Sequence, residues 1–179
     1  MSNPVASSDL RLRPAVDADR PFLCAVYADS RQPEMRLVPW TDEQKALFLT
    51  SQFEAQDRHY RTHYPNAEFN IIVVEGVDAG RLYIHRDPEE IRIMDIALLA
   101  PFRNRGCGSR LLEAILAEAT QAGARVTLHV EADNPAQRLY ARLGFAPQGE
   151  TGVYQLLEWT PAQSSDTNVR SAEAGTRGA

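Results

Sequence analysis

The run Arg103-Asn104-Arg105-Gly106-Cys107-Gly108-Ser109 stands between an apolar stretch ending at Leu99 and an amphipathic stretch opening at Leu111. A strand that hands over to a helix through such a loop can bind an anion. The first N–H groups of a helix have no partner inside it and sit at the positive end of the macrodipole. Gly106 and Gly108 let an oxyanion approach the backbone with no Cβ in the way, and Arg103 and Arg105 add charge. The run lacks the Gly-x-x-x-x-Gly-Lys-Ser/Thr of a P-loop and the Gly-x-Gly-x-x-Gly of a dinucleotide fold, so neither nucleotide chemistry is indicated. Taken alone, the same glycines would serve a plain strand-to-helix bend.

A second segment bears on that choice. Residues 128–145 read as a strand, a turn with Asn134, a short helix carrying Tyr140, and a Gly144-Phe145 exit. The two segments, in this order with one helix and one strand between them, resemble the GNAT N-acetyltransferase superfamily. The resemblance covers roughly residues 8–160, and the motifs that carry it span 93–145. It implies acetyl-CoA as cosubstrate, no metal, and direct acetyl transfer to a primary amine of a small molecule or peptide. A non-catalytic acyl-CoA-binding module of the same fold is the alternative.

The resemblance also implies roles. Residues 103–109 would hold the pyrophosphate, with Cys107 giving its amide rather than its thiol. The strands 91–99 and 126–130 would splay around the pantetheine, and the amide of Leu98 or Leu99 would polarise the thioester carbonyl. Tyr140 matches the general acid that protonates the departing thiolate, although an aromatic packed on the sheet would look the same. Asn134 would reach the pantetheine, cap the following helix, or both. For the general base, Asp95 comes first, an acid inside an otherwise apolar strand; the other reading places it on a solvent face, paired with Arg92 or a neighbouring strand. Glu131 is the alternative, followed by His129 and His85. A bulge near the cofactor would swap strand faces, so alternation cannot settle the matter. Acceptor pockets of this superfamily draw on the first two helices, the loop between them and the last strand pair. Here those segments hold Trp40, Tyr60, His63, Tyr64 and Tyr154, with Glu34, Arg36 and Asp42 near. Such a lining would suit an amine with an apolar body, and ordinary core packing explains each aromatic equally well.

The elements that must position these residues alternate along the chain. Residues 10–13 alternate as a strand does. Asp17 reads as the N-cap of a helix that stops before Pro33. Thr41 and Gln44 form a capping box for a helix running to about Arg61, with Leu49, Phe53 and Tyr60 on one stripe. Strands at 69–75 and 80–85 flank a hairpin connection, and 90–99 is a third strand. A helix over 106–122 closes at Gly123, a strand follows at 126–130, and a helix with Pro135 at its first position ends at Gly144. Residues 145–147 and 153–159 read as a last strand pair. This order gives a mixed α/β fold with helices on the faces of a sheet; the resemblance implies that it is GNAT-like, with a central sheet of six to seven strands splayed at the cofactor site and about four helices.

At 179 residues the chain suits one acetyltransferase domain, over 9–160, between a flexible stretch 1–8 and a disordered tail 161–179. No apolar run is long enough to span a bilayer and no secretory pattern is visible in 1–8, so a cytoplasmic protein without a membrane partner is expected. Two cysteines exclude a disulfide scaffold. A net charge of −5 and a single lysine, Lys45, argue against nucleic acid as partner. That balance suits a cationic or neutral acceptor drawn to an acidic cleft. Homodimerisation is left open.

Overall fold

The computed structural model describes residues 9–162. Segment 1–8 and residues 163–179 of the expected tail lie outside the described residues. Seven strands form one sheet: β1 (Leu10–Pro14), β2 (Glu68–Val74), β3 (Val77–Arg86), β4 (Glu90–Leu98), β5 (Arg125–Glu131), β6 (Ala146–Thr151) and β7 (Tyr154–Trp159), in the order β1-β2-β3-β4-β5-β7-β6. Only β4 and β5 run parallel; every other pairing is antiparallel. Five α-helices cover the sheet: α1 (Arg20–Ser30), α2 (Gln32–Met35), α3 (Asp42–His63), α4 (Cys107–Ala122) and α5 (Gln137–Arg142). The mixed sheet has the expected strand number, and one single-turn helix more than expected.

That extra turn is α2, which carries Pro33 in its first turn, where a missing N–H costs nothing. Asp17 is not the cap of α1. A 3₁₀ turn at Asp17–Asp19 precedes α1, and the carboxylate of Asp19 accepts from the Val16 N–H at 2.8 Å. The Thr41 box forms as read: Gln44 N–H donates to Thr41 Oγ1 at 3.2 Å, and Thr41 N–H donates to Gln44 Oε1 at 2.9 Å. The β2–β3 connection is shorter than expected. Glu75 and Gly76, both at positive φ (53° and 80°), make a two-residue turn of the kind that matches strand twist. Residues 77–80 then belong to β3. A Cβ on Gly80 would stand 2.2 Å from the Ala97 carbonyl oxygen, so β3 and β4 approach closely only because no side chain is there.

Both faces of the sheet are covered, which is why β2 carries the unbroken run Ile71-Ile72-Val73-Val74 instead of an alternation. On one face α4 lays Leu111, Leu112, Ile115 and Leu116 on Leu82, Ile84, Ile91 and Ile93. On the other, α1 and α3 lay Leu23, Tyr27, Leu49 and Phe53 on Ile71, Val73 and Tyr83. Truncating one of these side chains to Ala would cost about 2–5 kcal/mol. The helix after β5 starts later than expected. The Asn134 side-chain oxygen accepts from Ala136 N–H at 2.9 Å and its carbonyl from Gln137 N–H at 3.0 Å, so Asn134 and Pro135 form a turn ahead of α5.

Candidate active site

The strands β4 and β5 pair only from Glu90↔Arg125 to Ile93↔Leu128. Beyond that point residues 94–98 stay on β3 and residues 129–131 stay on β7, so the two strands part in a wedge. The strands that splay are those the resemblance implied. A bulge marks the place: Tyr83 pairs with Asp95 but Ile84 with Ile93, leaving Met94 as the extra residue. Tyr60, from α3, donates its hydroxyl to the Met94 carbonyl at 3.1 Å.

The bulge decides where Asp95 points. Without it, Asp95 would share the α4 face with Ile91 and Ile93. With it, Asp95 joins Arg92 on the α1–α3 face, opposite Tyr83. There Arg81 Nη2 meets Asp95 Oδ2 at 2.5 Å and Gln56 Oε1 at 3.0 Å. Arg81 is 1% exposed and sits among the rings of Tyr27, Phe53 and Tyr83, 5.1–5.9 Å from their centroids. Among the described residues its Nε and Nη1 have no hydrogen-bond partner; the ring faces are their neighbours. Burial pushes the Tyr83 phenol up to about 12.

The register also separates Leu98 from Leu99. The Leu99 N–H donates to the Ala79 carbonyl at 2.9 Å, so it is committed to β3 and cannot face a thioester. This corrects the expectation for Leu99. Amides alternate between the two sides of a strand, so those of Ile96 and Leu98 face the wedge. The Leu98 carbonyl points the same way and accepts from Arg103 Nε at 2.8 Å.

Past Leu98 the chain makes a 3₁₀ turn and enters the loop. Asn104 and Gly106 both take positive φ (58° and 79°), and Gly106 starts α4 with no side-chain cap. A Cβ at Gly106 would meet nothing within 4 Å, and one at Gly108 only Leu139 Cδ2 at 3.7 Å. The space before this helix end is open, which fits a phosphate on the N–H groups of 107–109. The arginine side chains have other partners. Arg103 is ion-paired to Asp29 of α1, whose carboxylate also accepts from Ala100 N–H. Arg105 lies 5.7 Å from the Phe102 ring centre and 3.4 Å from Glu75. The Ser109 hydroxyl accepts from Arg142 at 3.4 Å. Cys107 is 1% exposed within the α4 core, so its thiol is turned away from the loop.

Behind the wedge, on the α1–α3 side, lies a cavity of about 410 Å³. It brings together Asp95, Glu131, Asn134 and Tyr140, and also Tyr60, Tyr64 and Tyr154. Trp40 is not among them; it packs edge-on against Phe48 at 5.3 Å, which corrects its assignment to the pocket. Tyr140 packs edge-on against Phe145 at 5.7 Å, and burial, with the Asp95 charge second, pushes its phenol up to about 12. Burial likewise raises the Tyr60 hydroxyl. Glu131 is held by Arg31 of α1 at 2.7 Å, which also holds Glu34 at 3.1 Å. His129 Nδ1 accepts from Arg92 Nη2 at 3.1 Å, and burial with the Arg92 charge lowers the imidazole below its ordinary value.

The sequence reading did not pick out Arg31 and Arg81, although both line this cavity. The signal for Arg81 was available: a lone charge inside the strand Gly80–His85, with an acid inside the next strand. The cavity is also not acidic as expected. Three carboxylates (Glu34, Asp95, Glu131) face three guanidinia (Arg31, Arg81, Arg92).

The model of the Acetyltransferase (GNAT) family matches residues 25–145. The chain belongs to the GNAT acetyltransferase family. No curated protein sequence matches it. Among solved structures it is similar to the PaiA N-acetyltransferase of Thermoplasma acidophilum in complex with coenzyme A, at 13% identity and TM-score 0.64 over 85% of this chain and 99% of that one. It is similar to RimL, a ribosomal L7/L12 alpha-N-protein acetyltransferase also in complex with coenzyme A, at 18% identity and TM-score 0.59 over 88% and 97%. Ard1 from Thermoplasma volcanium aligns at 20% identity and TM-score 0.56 over 86% and 99%. At these identities the likeness shows the fold. Among the described residues no helix is long and apolar enough to cross a membrane.

Proposed function

We propose that this chain moves an acetyl group from acetyl-CoA directly to a primary amine of a small molecule or peptide. The observation that carries the reading is the wedge beyond Ile93 and Leu128, with Tyr140 in the cavity behind it and the uncapped α4 start following its open end. Two structural neighbours, PaiA and RimL, are complexes with coenzyme A. In this reading the pyrophosphate rests on the N–H groups of 107–109, and the pantetheine follows the Ile96 and Leu98 amides within reach of Asn134.

The amine lone pair attacks the thioester carbon and forms the C–N bond. The Leu98 N–H donates to the oxygen as charge gathers there. The C–S bond breaks with its electron pair going to sulfur, and Tyr140 gives the thiolate a proton. Asp95 and Glu131, the acids the sequence offers as bases, are each held by a guanidinium. We therefore assign the nitrogen's spare proton to water and His129. That imidazole carries its proton on Nε2 and takes another at Nδ1 as Arg92 lets go.

The same tied carboxylates favour a second reading, a module that binds acyl-CoA without turnover. Thiol release from acetyl-CoA, measured over a panel of amines and peptides, separates the two. Stoichiometric release with one acetyl group added to an amine supports transfer. Saturable binding with no release on any acceptor supports the module.

A further inference from the structure

Three arginines line the cavity, and two have carboxylate partners. Arg81 faces Asp95, and Arg31 faces Glu34 and Glu131. Among the described residues, Arg92 has no ion pair. It donates to neutral His129 and lies over the Tyr64 ring, 5.8 Å from its centre. These contacts fix the guanidinium without answering its charge. Glu90, two residues earlier on the same strand face, feels the Arg92 charge at a distance but spends its hydrogen bonds on Thr127 and on Arg125, the latter at 3.4 Å. A planar guanidinium held in a small cavity with N–H groups to spare suits a carboxylate.

The other end of the cavity has the opposite imbalance. Two carboxylates surround the single charge of Arg31. His129, beside Arg92, and Glu131, beside Arg31, are alternate residues of β5, hence roughly 7 Å apart on one face. The cavity is thus polarised over the length of a small zwitterion.

We propose that the acetyl acceptor is a free amino acid, its carboxylate on Arg92 and its amine toward Glu131. This rests on the acetyl-transfer reading above and names its substrate class. A carboxylate that draws Arg92 off His129 also frees the Nδ1 lone pair, so acceptor binding readies the proton acceptor.

The test sets the standard L-amino acids, β-alanine and 4-aminobutyrate against their carboxamides in the acetyl-CoA thiol-release assay. The expected result is a kcat/KM at least about tenfold higher for an acid than for its amide. Arg92→Met should collapse that ratio toward one, a loss of roughly 10- to 100-fold on the acid. Arg92→Lys should keep part of it, and melting curves check that both variants fold. Amides or peptides acetylated as well as free acids would overturn the proposal, as would a ratio that survives Arg92→Met. If acetyl-CoA binds and no amine in the panel is acetylated, the transfer reading fails separately. The acid and amide pairs are then titrated into coenzyme A-saturated protein. Acid binding that Arg92→Met removes supports the carboxylate site, and no acid binding at millimolar concentration overturns it.

Discussion

Replacing Tyr140 with Phe removes one oxygen and leaves the ring. The ring is 6% exposed and packs on Phe145, so the core contacts survive and melting should shift by no more than a few degrees. The hydroxyl is a different matter. Its pKa, pushed up to about 12, stands roughly 3.5 units above that of an ordinary thiol. Complete proton transfer to a free thiolate is uphill by about 5 kcal/mol. Tyr140 should therefore act as a hydrogen-bond donor that releases its proton late, and its value falls at the low end of general-acid catalysis, about 10²-fold in kcat. The raised pKa keeps the phenol protonated below about pH 12, so it adds no falling limb to kcat between about pH 6 and pH 10. Thiol release measured across that range for wild type and Tyr140→Phe should give parallel profiles about two decades apart. Acetyl-CoA affinity should stay within about threefold. Unchanged turnover would remove Tyr140 as the acid; a matching loss of cofactor binding or stability would make it structural.

Two further perturbations test the supports of the site. Arg103 is tied to Asp29 and to the Leu98 carbonyl, contacts that would pin the loop to α1. Arg103→Ala and Asp29→Asn should weaken acetyl-CoA binding by similar factors, about three- to tenfold, and the double variant should be no worse than either. A harmless Asp29→Asn beside a harmful Arg103→Ala would instead mean direct phosphate contact. Arg81→Met leaves Asp95 without its partner and should cost about 3–5 kcal/mol in urea unfolding, with much of it recovered in Arg81→Met/Asp95→Leu. A loss under about 1 kcal/mol would show that the pair does not hold the strands.

What could be read from the residues was local. Glycines at 106 and 123, the Thr41–Gln44 box and the helical spacing of Leu111, Leu112, Ile115 and Leu116 each carry their meaning within a few positions, and each forms as read. The wedge was legible only through the resemblance that joins two distant segments. Tertiary register was not legible. Whether Leu98 or Leu99 offers its amide depends on which of them Ala79 engages, and the face of Asp95 depends on the single extra residue Met94. Arg81 and Asp95 are 14 positions apart and meet only because the bulge brings them to one face. Trp40 shows the limit of residue type as evidence: an aromatic in the right segment has no direction until the loop around it is built. Cys107 stands four residues before Leu111 and shares its core stripe, which buries the thiol, a consequence of spacing that the sequence reading did not draw.

Coenzyme A binding at the start of α4 is tested most directly by titrating acetyl-CoA into wild type and Gly108→Val by calorimetry. The fold makes little demand for glycine here, since a Cβ would meet only Leu139 at an ordinary 3.7 Å, so the variant should fold and melt near wild type. A side chain in the open space before the helix end should exclude the pyrophosphate and weaken binding by about 100-fold or more. A folded Gly108→Val that binds acetyl-CoA as tightly as wild type would contradict the assignment.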